Sequence, residues 1–495
     1  MITRDLEELT AAAGDAGADP GLGRPELRAS LLSGIAAAMR ERGEEIVEVA
    51  RRESHLAEAR IRGELERTAR QLEMFAGIAT DGDFHDAVID LPDPDAKPIP
   101  RPDLRRARLP RGPVAVFGAG NFPLAFGVAG GDTASALATG SPVISKSHSG
   151  HTGTDELVAT LIDEVIADVG LPTGTHSLLH TGHDGAGELV RAPEVTAVAF
   201  TGSTAAGLTL AGHAADRDAP IPVFAEMGSS NPAVVTPGAA AERPEEVASL
   251  LAGGIINSAG QLCTKPGLVL VPAGPAGSAF AAALAAQVAA ADAGPLLSAG
   301  ISDRYDSSVE EMDAISELTP LSGEDRDRPD GDATPHLWST DVASASSIDR
   351  IREEVFGPAA VLIRYEDAAE LLNFLGGTEG QLSASIFSEE SEAALRQGLV
   401  DRLTPVCGRI VFDAPTTGVA VCMAQQHGGP YPATLDDSYT SVGGRATDRF
   451  VRPVAFQDCP GRFLPEILRD ENPLGIWRLI DGSRTRDPVP AARPD

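Results

Sequence analysis

Lysine is the scarcest charged residue in this chain of 495 residues. Only Lys97, Lys146 and Lys265 occur, and arginine supplies the rest of the 40 basic residues, which face 72 acidic ones. The formal net charge of −32 repels phosphate backbones and anionic lipid headgroups. This charge argues against nucleic acid and membrane surfaces as partners, and it makes a lysine inside a motif hard to attribute to chance.

Cysteine is also rare, and its four positions are unpatterned. Neither a CxxC pair nor a metal-ligand spacing occurs among Cys263, Cys407, Cys422 and Cys459. In a long chain this argues against a disulfide framework, and we expect no metal site. The first 19 residues are acidic and polar, and no apolar run approaches the ~18 residues that span a membrane. We therefore expect a soluble, cytoplasmic protein.

Aromatic residues reach only 4%, whereas glycine occurs 52 times and hydrophobic residues make up 42% of the chain. That balance, over a length sufficient for two or three domains, favours a globular α/β fold with many tight turns. Residues 24–80 have helical periodicity, and a Pro- and Asp-rich stretch follows at 91–102. The segment Leu104–Leu109 alternates apolar residues with arginine, which is typical of an exposed strand.

Strand and helix patterns alternate from residue 114 onward. Short strands are predicted at 114–117, 142–145, 177–180, 195–200 and 222–225, with helices at 125–138 and 155–169. This alternation predicts a parallel sheet covered by helices, whose ligands bind beyond the carboxyl ends of the strands. A second α/β region is expected at 231–439, with a surface loop at 322–333, and a further strand at 449–456.

Two residues could carry covalent chemistry. Cys263 follows a glycine-containing turn and precedes an apolar strand at 268–271. It is either a nucleophilic thiolate or an inert core cysteine. Glu226 ends the strand at 222–225, where a carboxylate either caps the next turn or acts as a base.

Three further candidates lie at strand ends. Asn121 is either a turn former or a donor of its amide to a developing oxyanion. Thr201-Gly202-Ser203 marks a strand-to-helix junction, where Ser203 either caps the helix or helps to bind phosphate. Lys146 would suit a ribose hydroxyl or a phosphate, and its rarity favours function over a plain surface lysine.

These residues belong to six motifs whose order resembles that of the aldehyde dehydrogenase family over about residues 105–454. The motifs are Asn121-Phe122-Pro123, Lys146, Phe200-Thr201-Gly202-Ser203, Glu226-Met227-Gly228, Gly260-Gln261-Leu262-Cys263-Thr264 and Glu354-Val355-Phe356-Gly357-Pro358. The resemblance implies a Rossmann-type cofactor domain, an α/β catalytic domain and a small β oligomerisation arm.

The resemblance also implies domain bounds. The cofactor domain would comprise 1–90 and 111–227, the catalytic domain 228–440, the arm 91–110 and 441–460, and a C-terminal extension 461–495. Pairing of the strands at 104–109 and 449–456 would leave a sheet edge on which copies associate, so we expect a homodimer or homotetramer.

The resemblance assigns roles to the motif residues. Cys263 would attack the aldehyde, Asn121 and the Cys263 N–H would hold the oxyanion, and Glu226 would activate water against the resulting thioester. The cofactor would be NAD or NADP. Its binding residues would be Lys146 and Glu354 at the ribose hydroxyls, Phe356 at the nicotinamide ribose, Ser203 with Gly202 at the pyrophosphate, and the neighbouring Met227, Gly228 and Ser149.

Departures from the usual family pattern bear on the cofactor and the substrate. Ser149 stands where many NAD-dependent members have a glutamate that would repel a 2′-phosphate, yet the loop at 182–185 offers Asp184 and no arginine, so NAD and NADP both stay open. His427 replaces the usual phenylalanine before two glycines, and it either touches substrate or packs as a satisfied core histidine.

The departures resemble a branch with 2,5-dioxopentanoate (α-ketoglutaric semialdehyde) dehydrogenases and NADP-dependent fatty aldehyde dehydrogenases, and they resemble the first more. A substrate with a far carboxylate needs a cation, for which Lys265 is the first candidate and Arg409 the second. Phe122 and His427 are the other candidate substrate contacts. Glu226 argues against an acyl-CoA-forming enzyme, and the presence of Cys263 and Asn121 argues against a non-catalytic relative.

Overall fold

The computed structural model describes residues 5–323 and 332–490, and most of the predicted loop at 322–333 lies outside them. The helices are α1 (Leu6–Gly17), α2 (Pro25–Glu41), α3 (Gly43–Ser54), α4 (Glu58–Asp81), α5 (Gly131–Thr139), α6 (Thr152–Val169), α7 (His183–Arg191), α8 (Thr204–Ala215), α9 (Pro237–Glu242), α10 (Pro244–Ile256), α11 (Pro275–Ala290), α12 (Ala299–Asp313), α13 (Val342–Ala345), α14 (Ala368–Gly376) and α15 (Ala393–Leu403).

The strands form three sheets. They are β1 (Ala87–Asp90), β2 (Leu104–Pro110), β3 (Val114–Phe117), β4 (Val143–Lys146), β5 (His176–Leu179), β6 (Ala197–Thr201), β7 (Val223–Glu226), β8 (Ala233–Val235), β9 (Leu268–Pro272), β10 (Thr319–Ser322), β11 (His336–Asp341), β12 (Ala359–Tyr365), β13 (Gln381–Phe387), β14 (Cys407–Phe412), β15 (Val451–Gln457), β16 (Arg478–Ile480) and β17 (Ser483–Thr485).

The first sheet is parallel throughout, in the order β5-β4-β3-β6-β7. All five strands predicted from residue 114 onward are present, with their bounds shifted by one or two residues. The chain order reverses at β3, and such a reversal opens a crevice at the carboxyl ends of the strands. The helices that cover the sheet include α2, α3 and α4, which account for the helical periodicity of residues 24–80.

One predicted helix is wrong in its bounds. We expected a helix over 125–138, but α5 begins only at Gly131, and the preceding residues form turns. Gly127 explains the difference, since a Cβ there would lie 1.9 Å from the Pro123 carbonyl oxygen. The chain therefore folds tightly back after Pro123, which a helix would not allow, and apolar periodicity alone did not reveal this turn.

The second sheet has seven strands in the order β10-β11-β12-β9-β8-β13-β14. All its neighbouring pairs are parallel except β10 with β11. Its central strand β9 is buried along its whole length and follows directly on the Cys263 segment. The α/β fold class is therefore confirmed.

The third sheet has the order β15-β2-β1-β16-β17. The predicted pairing of the segment at 104–109 with the segment at 449–456 is confirmed, because β2 and β15 are antiparallel neighbours, with Leu109 opposite Arg452. Residues 478–485, which we had placed in a separate extension, supply two strands to this sheet. The domain bounds stay a prediction. No helix in the described ranges is long and apolar enough to cross a membrane.

Candidate active site

The candidate site lies where the first two sheets meet, beyond the carboxyl ends of β3 and β6. The turn after β3 carries Asn121, whose side-chain amide donates to the carbonyl oxygen of Gln261 at 2.8 Å. Gln261 lies two residues before Cys263, so this bond joins the Asn121 turn to the Cys263 segment. An amide has two N–H donors, and the second is available to a ligand.

Backbone conformation shapes the segment before Cys263. Ser258, Ala259 and Gly260 all have positive φ, at 56°, 53° and 66°. A Cβ on Gly260 would lie 2.2 Å from the Gly357 carbonyl oxygen, and a Cβ on Gly357 would lie 2.2 Å from the Tyr305 ring. These two glycines let the segment with Cys263 pack directly against the segment with Glu354 and Phe356, which explains why both motifs need glycine.

The side-chain amides of two buried residues, Asn231 and Gln381, hold the Cys263 segment in place. The Asn231 side chain, fully buried, donates to the carbonyl oxygens of Cys263 at 2.8 Å and Lys265 at 3.1 Å. Its own backbone N–H donates to the Gln381 side-chain oxygen at 2.8 Å. Sequence reasoning missed Asn231 and Gln381, although Asn231 lies only five residues after Glu226 and its polar Ser-Ser-Asn context was a usable signal.

Three chemically reactive side chains come together at the nucleophile. The Nε2 atom of His427 lies 3.5 Å from the Cys263 sulfur and 2.9 Å from a carboxylate oxygen of Glu226. A carboxylate oxygen of Glu226, the sulfur of Cys263 and a ring nitrogen of His427 all lie within 4.8 Å of one another. Ser441 donates to the second oxygen of Glu226. Glu226 and His427 are buried and Cys263 is partly exposed, so a small substrate can reach the sulfur.

The environment shifts the pKa of the thiol and of the carboxylate. Burial raises the pKa of Cys263 well above its ordinary value, and the adjacent Glu226 charge raises it further. Burial would also raise the pKa of Glu226, but the charge and hydrogen bond of His427, with hydrogen bonds to Ser441 and Cys263, outweigh burial and lower it. Glu226 is therefore an ionised base beside a protonated thiol.

The expected cofactor residues of the first sheet lie at its carboxyl edge. Gly202 and Ser203 are exposed between β6 and α8, and the Ser203 hydroxyl accepts the N–H of Ala206 as the N-cap. Lys146 ends β4 half-buried, and burial lowers the pKa of its ammonium. Ser149 is exposed in the next turn. This edge presents a helix N-terminus and a cation, which suit a pyrophosphate and a ribose.

The other expected cofactor residues lie around the Glu354 carboxylate. Glu354 has an Oε1 atom that is buried without a hydrogen-bond partner, and a Cβ on Gly228 would lie 2.9 Å from its other oxygen. Met227 is buried beside Gly228, and Phe356 is half-buried. The unpaired oxygen and the bare Gly228 backbone leave polar groups and space for a ribose, so the residues present fit the nicotinamide half of NAD(P).

Lys265, the first candidate for the far carboxylate of the substrate, has its ammonium bonded elsewhere. Its ammonium is buried, donates to the Ala359 carbonyl oxygen at 2.6 Å and interacts with the charge of Glu354. Burial lowers the pKa of Lys265 to about 8 and raises that of Glu354 to about 7. The ammonium of Lys265 is therefore engaged away from a substrate at Cys263, and the structure speaks against the substrate role predicted for it.

Arginines from α4 reach the site, and sequence reasoning missed them. Arg60 donates to the Ser258 hydroxyl at 2.8 Å and to the Asn121 carbonyl oxygen at 3.1 Å, and it lies 3.6 Å from Glu64. Arg67 lies on the same face, and the charges of Cys263 and Glu226 act on it. The signal was available, since residues 60, 64 and 67 have the spacing of one helical face that is otherwise apolar.

A family model described as the aldehyde dehydrogenase family matches residues 3–429. The chain belongs to the aldehyde dehydrogenase family. It is 42% identical over 456 residues to α-ketoglutaric semialdehyde dehydrogenase 2 of Azospirillum brasilense, which covers 92% of this chain and 87% of the relative. It is 41% identical over 461 residues to α-ketoglutaric semialdehyde dehydrogenase of Acinetobacter baylyi, covering 93% and 88%.

Solved structures share the fold. A 3,6-anhydro-L-galactose dehydrogenase in complex with NADP matches with a TM-score of 0.78 at 22% identity, over 92% of this chain and 91% of the other. Betaine aldehyde dehydrogenase of Staphylococcus aureus in complex with NAD⁺ matches with a TM-score of 0.78 at 21% identity, over 92% and 88%. The predicted family and fold are confirmed, and the chain is an NAD(P)-dependent aldehyde dehydrogenase.

Proposed function

We propose that this enzyme oxidises 2,5-dioxopentanoate, the semialdehyde of α-ketoglutarate, to 2-oxoglutarate. The cluster of Cys263, His427 and Glu226, whose reactive atoms lie within 4.8 Å of one another, is the observation that carries the reaction type. The two relatives named for this substrate, at 42% and 41% identity over most of the chain, support the substrate.

Cys263 is the nucleophile. Its thiol proton passes to Glu226, and the thiolate forms a bond to the aldehyde carbon. The aldehyde oxygen becomes an oxyanion, which the second amide N–H of Asn121 and the backbone N–H of Cys263 stabilise. The Nε2 atom of His427 lies 2.9 Å from a Glu226 oxygen and favours the ionised carboxylate beside the sulfur, which can then take the proton.

Glu226 also completes the reaction. A bound NAD(P) would supply the acceptor for the hydride of the hemithioacetal carbon, and loss of that hydride would leave a thioester on Cys263. Glu226, having released its proton to solvent, takes a proton from water as the water oxygen attacks that thioester. The tetrahedral adduct expels the Cys263 thiolate and the carboxylic acid leaves. A buried base beside the sulfur favours hydrolysis over transfer to coenzyme A.

We propose that the enzyme uses both NAD and NADP. Gly202 and Ser203 at the start of α8 would hold the pyrophosphate, while Lys146 and Glu354 would hold ribose hydroxyls. Ser149, which is exposed, offers no carboxylate against a 2′-phosphate. Initial rates with each cofactor at saturating aldehyde test this directly, and a preference above ~1000-fold for either would contradict it.

Single-residue variants test the mechanism. In Cys263→Ala, NAD(P)H formation from 2,5-dioxopentanoate should fall by about 10⁴-fold or more, since no nucleophile remains.

In Glu226→Ala, a single-turnover burst of NAD(P)H should persist while steady-state turnover falls by about 1000-fold, because thioester hydrolysis loses its base. Full activity in either variant would overturn the assignment. A wild type that ignores 2,5-dioxopentanoate but oxidises another aldehyde would overturn the substrate alone.

We further propose a homodimer or homotetramer and a cytoplasmic location. Strand β15 is the edge of the third sheet and every one of its residues except Val451 is at least partly exposed, so a second copy can associate there to form a dimer or tetramer. Light scattering on the purified enzyme would exclude this if it returned a monomer mass. All four cysteines are free, which fits the reducing cytoplasm that a catalytic thiol requires.

A further inference from the structure

An apolar cluster with a cation packed against it lies beside the nucleophile, and we call this region the aldehyde pocket. Ala119, Phe122, Ala125, Phe126, Val419, Val421 and Val442 form one apolar cluster beside the nucleophile. The rings of Phe126 and His427 are 6.4 Å apart, and His427 contacts the sulfur of Cys263. The guanidinium carbon of Arg67 lies 5.6 Å from the centre of the Phe126 ring and 6.0 Å from that of Phe122.

Two guanidinium groups near the site have a buried nitrogen without a hydrogen-bond partner among the described residues, Arg409 at Nε and Arg67 at Nη1. Arg67 is the less engaged of the two. No described residue accepts a hydrogen bond from its buried Nη1 atom, and within the described ranges it forms no ion pair. Arg60, by contrast, is held by Ser258, Asn121 and the Glu64 carboxylate. A buried guanidinium edge without a partner is costly, so a ligand that supplies an anion gains the whole interaction.

Two other cations are already engaged. Both terminal nitrogens of Arg409 donate to backbone oxygens, those of Thr416 and Gly418. Arg409 therefore positions the segment that carries Val419 and Val421. The ammonium of Lys265 is bonded to Ala359 and faces Glu354. Of these four cations, Arg67 is thus the one whose terminal nitrogens are bonded to no described residue, whereas Arg409 leaves only its Nε unpaired.

We propose that Arg67 is the specificity-determining residue of this pocket and binds the far carboxylate of an aldehyde-bearing acid whose other end reaches Cys263. The apolar walls accommodate the methylene groups between the two ends, and a guanidinium can hold a carboxylate through two parallel N–H bonds. This inference rests on the proposed function, because it names the residue that would distinguish 2,5-dioxopentanoate from an uncharged aldehyde of equal length.

Kinetic specificity tests the proposal. The ratio of kcat/KM for 2,5-dioxopentanoate to kcat/KM for pentanal should fall by about 100-fold in Arg67→Leu, since an anion loses its buried partner. Arg67→Lys should recover part of the ratio, because charge persists while the paired donors are lost. Arg70→Leu is the matched control, since Arg70 lies on the same helix with its side chain 74% exposed and should keep the wild-type ratio.

Thiol alkylation separates this proposal from the substrate assignment. The rate of Cys263 alkylation by iodoacetate relative to that by neutral iodoacetamide should fall by about 10-fold in Arg67→Leu and not in Arg70→Leu. This measurement needs neither aldehyde nor cofactor. A fall in the alkylation ratio with no wild-type activity on 2,5-dioxopentanoate would remove the substrate and keep the anion site. Unchanged ratios in both assays would overturn the role of Arg67, and Arg67→Gln serves if the leucine variant does not fold.

Discussion

At the cofactor edge, Ser149 follows β4, and Gly202 and Ser203 follow β6, on either side of β3. All three are exposed, and the groups they offer are mostly backbone N–H and small hydroxyls. The aldehyde pocket, by contrast, presents whole side chains that converge from four distant segments, among them Arg67 from α4 and His427 from near the end of the catalytic region. The first region depends on where strands end, and the second depends on how helices and loops pack.

This difference indicates which region of the molecule determines ligand specificity. An edge that binds through backbone groups accepts any ligand with the cofactor's pyrophosphate and ribose. A pocket lined by side chains distinguishes ligands by their charge and shape. Gly260 links the two regions, because it contacts Gly357 of the cofactor motif and lies three residues before Cys263. Three changes, in order of decreasing effect, test the comparison.

Gly260→Ala should damage both regions together. Alanine is disfavoured at φ 66°, and its Cβ would lie 2.2 Å from the Gly357 carbonyl oxygen, so the segment must move. We expect kcat/KM to fall by about 100-fold with every aldehyde, since small displacements of a nucleophile have effects of this size. The control is Gly253→Ala in α10, where a Cβ meets nothing within 4 Å. Equal activity in both variants would show that the close approach does not position Cys263.

Ser149→Glu should alter the cofactor edge alone. A carboxylate at this exposed position would repel a 2′-phosphate, so kcat/KM with NADP should fall by about 10-fold relative to kcat/KM with NAD. The preference between 2,5-dioxopentanoate and pentanal should stay unchanged, because the aldehyde pocket is built from other segments. If the aldehyde preference changed as well, the two regions would not be separable.

Glu354→Gln should change the pH dependence of stability by a few degrees in Tm. Burial raises the pKa of Glu354 from 4.5 to about 7, so between these pH values the unfolded state has released a proton that the folded state keeps. Folding stability attributable to Glu354 therefore decreases as pH rises through this window. The Tm of the variant minus that of the wild type should accordingly increase from pH 4.5 to pH 7, as measured on the cofactor-free enzyme.

The matched control is Glu353→Gln, since the Glu353 side chain is 70% exposed and should give a curve parallel to that of the wild type. Parallel curves for Glu354→Gln as well would mean that Glu354 titrates near its ordinary pKa. That result would contradict the raised pKa of Glu354 beside Lys265 at the cofactor site.

Much of the fold and part of the site could be predicted from sequence. The strands from residue 114 onward followed from short-range alternation, which reflects burial within one strand, whereas the pairing of the arm strands was expected alongside the family resemblance. The helix predicted at 125–138 was wrong because the Gly127 turn depends on a close approach to Pro123. Lys265 was misplaced because its spacing from Cys263 does not reveal the buried partner on another strand.

The sequence by itself determined the family and the order of its motifs, because turn glycines, strand ends and the reactive side chains next to them are local features. Only the tertiary structure decided which charges meet. In the tertiary structure His427 contacts Cys263 and Glu226, and the charge of Lys265 interacts with that of Glu354. Arg67 lies at the pocket although it precedes the nucleophile by nearly two hundred residues. The physical reason is that burial and electrostatic pairing act through space, between side chains that the chain order leaves far apart.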